Sequence, residues 1–392
     1  MGIVFFILTV LVLPGLPSGG VEPRWAFLSL VAGRLLFDIE IAPLTWLLIL
    51  YVGLMAWFAP IHYDAAYLYW HFFILVALFL YARHMDIRRI AIGCGLGFAV
   101  NSVAVIAQAR GWDFIPQMFS ANHIYGGFYY NPAAGSEAAA IAAALIVGER
   151  LYWLLPGLVP TLLYGTRGPI AALGLTSMVF LWKRSPFVGL VAALAALLIV
   201  VMWMNKPYDT LGFRFDVWWD ALSGLTFFGQ GLGSWISEFP RYQVHSNALN
   251  IRYENAHNDF LQIIFELGVG GAILLGIFLY AFWRAPRTGP WYALLVALVV
   301  GCFSFPLYNP VSGALMAVLA GHLLGRGDPV RLVQLGKRCR IWGRNAQARF
   351  AALYAGFSAF SDPSQPSLGG GILRDPDERY GPGGVGQRGA GL

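Results

Sequence analysis

Three polar residues stand beside long apolar runs and are candidates for chemistry. His257 lies in Ala256-His257-Asn258-Asp259-Phe260-Leu261-Gln262, at the head of one such run. Arg214 follows another, in Gly212-Phe213-Arg214-Phe215-Asp216-Val217-Trp218-Trp219, and Arg167 sits between two short ones, in Tyr164-Gly165-Thr166-Arg167-Gly168-Pro169. A guanidinium keeps its charge and grips phosphate oxygens two at a time. Placed against a lipid phase, it is costly unless it faces water or an anion. Snorkelling, with the stem in lipid and the head in water, is the structural alternative for either arginine. A lone interfacial histidine is more often a packing residue than a catalyst, so the value of His257 depends on what shares its surroundings.

The elements that must position these residues follow from composition. Hydrophobic residues make up 58% of the 392 and charged residues 12%, with mean hydropathy +0.63. That is too few charges and too much apolar surface for a soluble domain. The apolar residues fall into runs of roughly 15 to 22, about what a helix needs to cross a bilayer. Spans are expected near 3–17, 24–38, 41–59, 65–82, 90–109, 132–148, 151–164, 168–182, 185–204, 257–283, 290–306 and 309–325. The expected fold class is therefore all-α, polytopic, with about twelve transmembrane helices. A cleaved signal peptide is the rival reading of 1–18, although no basic segment precedes its apolar core.

Short cytoplasmic loops retain Lys and Arg. Arg83, Arg88 and Arg89, then Arg150, Lys183 and Arg184, Arg284 and Arg287, and the tail from Arg326 all return to one side when the spans are counted. Both termini are then cytoplasmic, and loops 110–131 and 205–256 are exported. Arg167, Arg214 and His257, about ninety residues apart, meet at the same outer interface.

On a helix at 100° per residue, Leu261, Ile264, Gly268 and Gly271 share the face of His257. The glycines would admit a close helix or leave a groove for an acyl or isoprenoid chain. Glu266 points the opposite way, and Asn258 and Asp259 are placed to cap the helix start.

The larger exported loop, 205–256, gathers Tyr208, Asp209, Asp216, Glu238, Arg241, Tyr242, His245, Arg252 and Glu254. Cys94, Cys302 and Cys339 fall in spans or the tail, so no exported disulfide framework is expected. With no Cys/His cluster at metal spacing, no metal site is expected either. In residues 326–360, Lys337, Arg338, Arg340, Arg344 and Arg349 interleave with Trp342, Phe350, Leu353, Tyr354 and Phe357, as in a basic amphipathic helix on an anionic leaflet rather than a nucleic-acid binder. Residues 361–392, rich in Gly, Pro, Ser and charge, read as disordered.

These residues carry a resemblance to the O-antigen ligase and O-antigen polymerase family of bacterial membrane glycosyltransferases, over about residues 130 to 325. Its most specific element is His257-Asn258, nine residues, then Gly268 and Gly271. The Arg167 turn, the Arg214 segment leading to Phe228-Gly229-Gln230-Gly231-Leu232-Gly233, and Phe305-Pro306-Leu307-Tyr308-Asn309-Pro310 support it. Thr166 stands where the family usually has Ser.

The resemblance implies a GT-C-like transferase domain over 1–325 in the bacterial inner membrane. The implied reaction is an inverting, metal-independent and cofactor-free glycan transfer from an undecaprenyl-pyrophosphate-linked donor at the periplasmic face. The acceptor would be a hydroxyl of lipid A core (lipopolysaccharide), of a growing polysaccharide or of protein. Arg167 and Arg214 would bind the diphosphate and His257 would act as base. Arg241, Tyr242, His245, Arg252 and Glu254 would hold sugar hydroxyls or orient the histidine. A transporter or flippase for a lipid-linked glycan is the alternative. Asp216, Glu238 and Glu254 form no evident glycosidase pair, and Gly233-Ser234-Trp235 imitates a rhomboid-type protease only weakly.

Overall fold

The computed structural model describes residues 1–11, 21–36, 43–112, 127–129, 131–164, 166–182, 210–246 and 253–325, with positions 185, 187, 190 and 194. Their regular structure is helical, with no strand among them. In order come α1 (Gly2–Val10), α2 (Val21–Leu36), α3 (Pro43–Trp57), α4 (His62–Tyr81), α5 (Ile87–Ala109), α6 (Pro132–Gly148), α7 (Val159–Tyr164, after a 3₁₀ turn at Tyr152–Leu158) and α8 (Arg167–Trp182). Then follow α9 (Thr210–Ser223), the single turn α10 (Trp235–Glu238), α11 (Asp259–Arg284), α12 (Gly289–Gly301) and α13 (Pro310–Leu324). The chain divides into units Met1–Pro329 and Val330–Leu392. The expected basic helix at 326–360 and tail at 361–392 lie outside the described residues, as do most of the expected span 185–204, Arg252 and Cys339.

Helix occupies every other expected span, but often more briefly than expected. Three helices are long and apolar enough to cross a membrane, His62–His84, Ile87–Ala109 and Asp259–Arg284. At 1.5 Å per residue the 23-residue α5 reaches about 35 Å, whereas the 13 residues of α12 reach about 20 Å.

Alanine makes α6 the centre of the bundle. Residues Ala134 to Ile146 are buried without exception, because small side chains on every face let neighbours approach from all directions. Glu137 is carried into that interior. The helix starts on Asn131, whose side chain accepts from Ala133 N–H, followed by Pro132 in the first turn. Helix α1 lies against α5, where Gly93 and Gly97 leave room for Gly2 and Thr9.

The bundle has two distinct ends. Asp259 Oδ2 accepts the Leu307 N–H at 3.0 Å, so α11 starts where α12 and α13 are joined. Glu137 reaches Ser304 and Asn309 in that same connection. At the other end Gly148 touches Gly289, and Gly325 lies beside Arg83. The basic residues Arg83, Arg150, Arg284 and Arg287 thus border the end remote from His257, as the charge pattern predicts.

Candidate functional site

His257 does not open a helix. It sits at φ +50°, a conformation side chains rarely take, and α11 begins two residues later. The helix is capped by Asn258, whose side chain accepts from Leu261 N–H at 3.0 Å. The expected capping role of Asp259 is replaced by its bond to Leu307. The His257 ring packs against Phe305, centroids 5.3 Å apart, and its Nδ1 is buried without a hydrogen-bond partner. Burial, reinforced by the charge of Arg214, lowers the imidazole pKa to about 4. The ring is therefore neutral at ordinary pH, with a lone pair free.

Arg214 enters from α9. That helix is fastened to the bundle by Trp218, whose indole N–H donates to the Ala256 carbonyl at 2.8 Å, one residue before His257. The charge of Arg214 acts on both His257 and Glu137. Arg214 is half-buried, and no ion pair to it occurs among the described residues. Arg167 is the first residue of α8 and also half-buried. The Ser136 hydroxyl donates to the Leu162 carbonyl at 3.5 Å, which sets the end of α7, and hence the turn into α8, beside the start of α6. Arg167 thus stands at the His257 end, without a hydrogen bond or ion pair among the described residues.

Beneath these cations lie two buried carboxylates that the sequence reading did not assign to the site. Glu137 accepts from the Ser304 hydroxyl and, at 3.0 Å, from the Asn309 amide. Asp259 Oδ1 is buried and unpartnered. The one sequence signal for Glu137 was an acid inside an otherwise apolar segment, a placement that is expensive unless used.

Of the remaining residues expected to hold sugar, Arg241, Tyr242 and His245 have partners within the loop. Arg241 pairs with Glu238, and His245 Nδ1 lies 2.7 Å from Asp220 Oδ1. The Tyr242 hydroxyl accepts from Gln230 Nε2 at 3.1 Å, with its ring on Phe265. Asp220 gathers the backbone N–H groups of Val244, His245 and Ser246 and the Ser246 hydroxyl, and so closes the loop on α9. Burial pushes its pKa upward, but the bonds from Ser246 and His245 outweigh it and hold the carboxyl below its ordinary value. Glu254 is exposed. None of these hydrogen-bonds or ion-pairs with His257 among the described residues.

At Gly268 the close approach is made by a loop rather than by a helix. Gly268 breaks α11 at φ +61°, ψ −148°, and the loop after α9 docks into the break. Gln230 N–H donates to the Phe265 carbonyl, Gly231 N–H to Glu266, and Val269 N–H to Phe227, each at 2.9 Å. Tyr51 Oη donates to the Leu267 carbonyl at 2.6 Å. Backbone groups orphaned by the break are thereby satisfied inside the protein, which an apolar phase demands. A Cβ on Gly268 would strike the Gly229 backbone, and one on Gly229, at φ +79°, the backbone of Glu266 and Gly268. Glu266 completes the unit by accepting from Gly233 N–H at 2.8 Å and Gln262 Nε2 at 3.0 Å. The Phe228–Gly233 string and the Gly268 string are thus one structural unit directly below His257.

Among the described residues no three His, Cys, Asp or Glu converge as metal ligands. Comparison with protein-family models and with curated proteins finds no match to this chain.

Proposed function

We propose that this is an inner-membrane glycosyltransferase of O-antigen ligase or polymerase type, with about twelve spans in a GT-C-like arrangement and both termini cytoplasmic. It moves a glycan from an undecaprenyl-pyrophosphate carrier to an acceptor hydroxyl at the periplasmic face. The observation that carries the reading is His257, neutral and with an unpartnered buried nitrogen, in the field of Arg214 at the bundle end that also holds Arg167.

The acceptor oxygen attacks C1 of the sugar as the C1–O bond to the diphosphate breaks on the opposite face, so configuration inverts. His257 takes the acceptor's proton. Arg214 and Arg167 hold the diphosphate and offset the charge that grows on it as it leaves. Binding of that anion also cancels the influence of Arg214 on His257, raising the basicity of the imidazole when the substrates are in place. Arg241, Tyr242, His245, Arg252 and Glu254 are the loop's candidates for sugar contacts or for orienting the base.

One observation favours a different reading. A broken membrane helix with buried acids is a hallmark of transporters, so a flippase that moves the intact lipid-linked glycan is the competing function. Reconstitution of the purified protein with a polyprenyl-pyrophosphate glycan and candidate acceptors separates the two. Transferase activity releases undecaprenyl pyrophosphate only when acceptor is present. Movement of intact donor without cleavage rejects the transferase reading, whereas normal transfer by His257→Ala rejects only the assignment of His257 as the base.

A further inference from the structure

In α9, Phe215, Trp219 and Leu222 fall within about 60° of one another around the helix axis, while Val217, Asp220 and Ala221 are buried on the opposite side. The three outward side chains, with Phe227 and Phe228 of the following loop, are 50–75% exposed. A contiguous apolar surface of this kind is not left in water without cause. Its surroundings identify what covers it. The Phe227 carbonyl accepts from Val269 N–H, so the loop is bonded to α11, a helix long and apolar enough to cross a membrane. Below that bond α11 carries its own exposed row of Val269, Ile273, Ile277 and Tyr280, at the spacing of a single helix face. The Phe227–Phe228 turn thus joins this row at the kink, through the bond to Val269.

We infer that α9 and the Phe227–Phe228 turn lie in the bilayer, with Phe215, Trp219, Leu222, Phe227 and Phe228 among the acyl chains of the leaflet at the His257 end. Part of the segment expected as an exported loop is thus amphipathic and embedded. Trp suits this level, where its ring is in hydrocarbon and its N–H among headgroups. Arg214 lies about 100° around α9 from Phe215, on the flank between the lipid-facing row and the buried face. It is therefore offered to an anion arriving along the membrane surface rather than from the aqueous phase. The lipid contact stands on exposure and bonding alone; its use in presenting Arg214 to a lipid-linked diphosphate rests on the glycan-transfer reading.

Nitroxide labels on single cysteines tests the contact, in protein reconstituted into phosphatidylethanolamine–phosphatidylglycerol vesicles with Cys94, Cys302 and Cys339 replaced by Ala. Collision rates with oxygen, which concentrates in lipid, and with a nickel chelate, which stays in water, are compared at Trp219→Cys and Phe228→Cys. Ile277→Cys supplies the lipid reference and Glu254→Cys the wet one. The inference requires oxygen-to-nickel ratios at 219 and 228 near that at 277; ratios near that at 254 overturn it. Should either variant fail to fold, Phe215→Cys and Leu222→Cys probe the same face. Trp219→Phe offers an independent check by lowering the share of tryptophan fluorescence that brominated lipid quenches, and an unchanged share counts against the contact. Trp219→Glu should then raise KM for the lipid-linked donor with kcat nearly intact. If no transfer occurs in the unaltered protein while the labels report lipid, the glycan reading falls and the membrane contact stands.

Discussion

Two buried polar centres lie a few turns apart along α11, and they are finished differently. Around Glu266 the carboxylate, Gln262, the loop N–H groups and the carbonyls freed by the break at Gly268 are joined in one set of bonds. Around His257 the set is incomplete, since the imidazole Nδ1 and Asp259 Oδ1 are buried without partners and the two arginines lack counter-ions among the described residues. An unsatisfied buried polar atom costs about 1–3 kcal/mol. One such atom, the Ser234 hydroxyl, adjoins the Glu266 centre, whereas at His257 two stand with those two arginines, capacity for something that arrives later. The closed centre is architecture and the open one is a candidate for work.

That contrast breaks most sharply at His257. His257→Ala should cut glycan transfer by ~10²–10⁴-fold while thermal unfolding in detergent is no worse than in the parent, because a buried unpaired nitrogen is removed. A large loss of melting temperature with transfer retained would reverse the assignment of roles. Arg214→Ala should lose ~10²–10³-fold, measured as product formed from lipid-linked donor. Arg214→Lys should recover only part, since a single ammonium cannot grip two oxygens at once.

At the closed centre the pattern inverts. Glu266→Ala orphans the Gly233 N–H and should lower stability by about 1–3 kcal/mol, read by chemical denaturation. Glu266→Gln, which keeps an acceptor, should lose less. If Glu266→Gln instead abolishes transfer in a protein of normal stability, the division between the two centres is wrong.

The smallest effect is in acid. The folded pKa of His257, about 4, lies below the 6.5 of a free imidazole. As pH falls from 6.5 the unfolded chain takes up the proton first, so the ring progressively weakens the fold until about pH 4. His257→Gln should therefore show a shallower fall in melting temperature over that interval. In kcat/KM of the parent, the acid limb should lie nearer pH 4 than 6.5, since protonation there removes the base.

Much of the frame was readable from sequence because it rests on long-range averages. Apolar runs located the helices, and the sidedness of Arg83, Arg150, Arg284 and Arg287 separated the two ends of the bundle. What escaped reading was set by contacts between distant segments. The spacing from His257 to Gly268 was legible as a pattern, but a helical wheel assumes an unbroken helix, and Gly268 breaks it. Glu137 stood out only as an acid in an apolar segment, because its partners Ser304 and Asn309 lie more than 160 residues away. The partner of His245, Asp220, lies 25 residues earlier and carried no mark of that role in the sequence.

The seat of the Phe227–Gly231 loop in the kink of α11 also bears on how the chain can drift. Gly229 and Gly268 occupy the same space from opposite directions, so a side chain gained at either meets backbone at the other, and no change at one position can make room for a change at its partner. Two strings nearly forty residues apart are therefore inherited as one unit. A library that randomises either alone should return glycine at both.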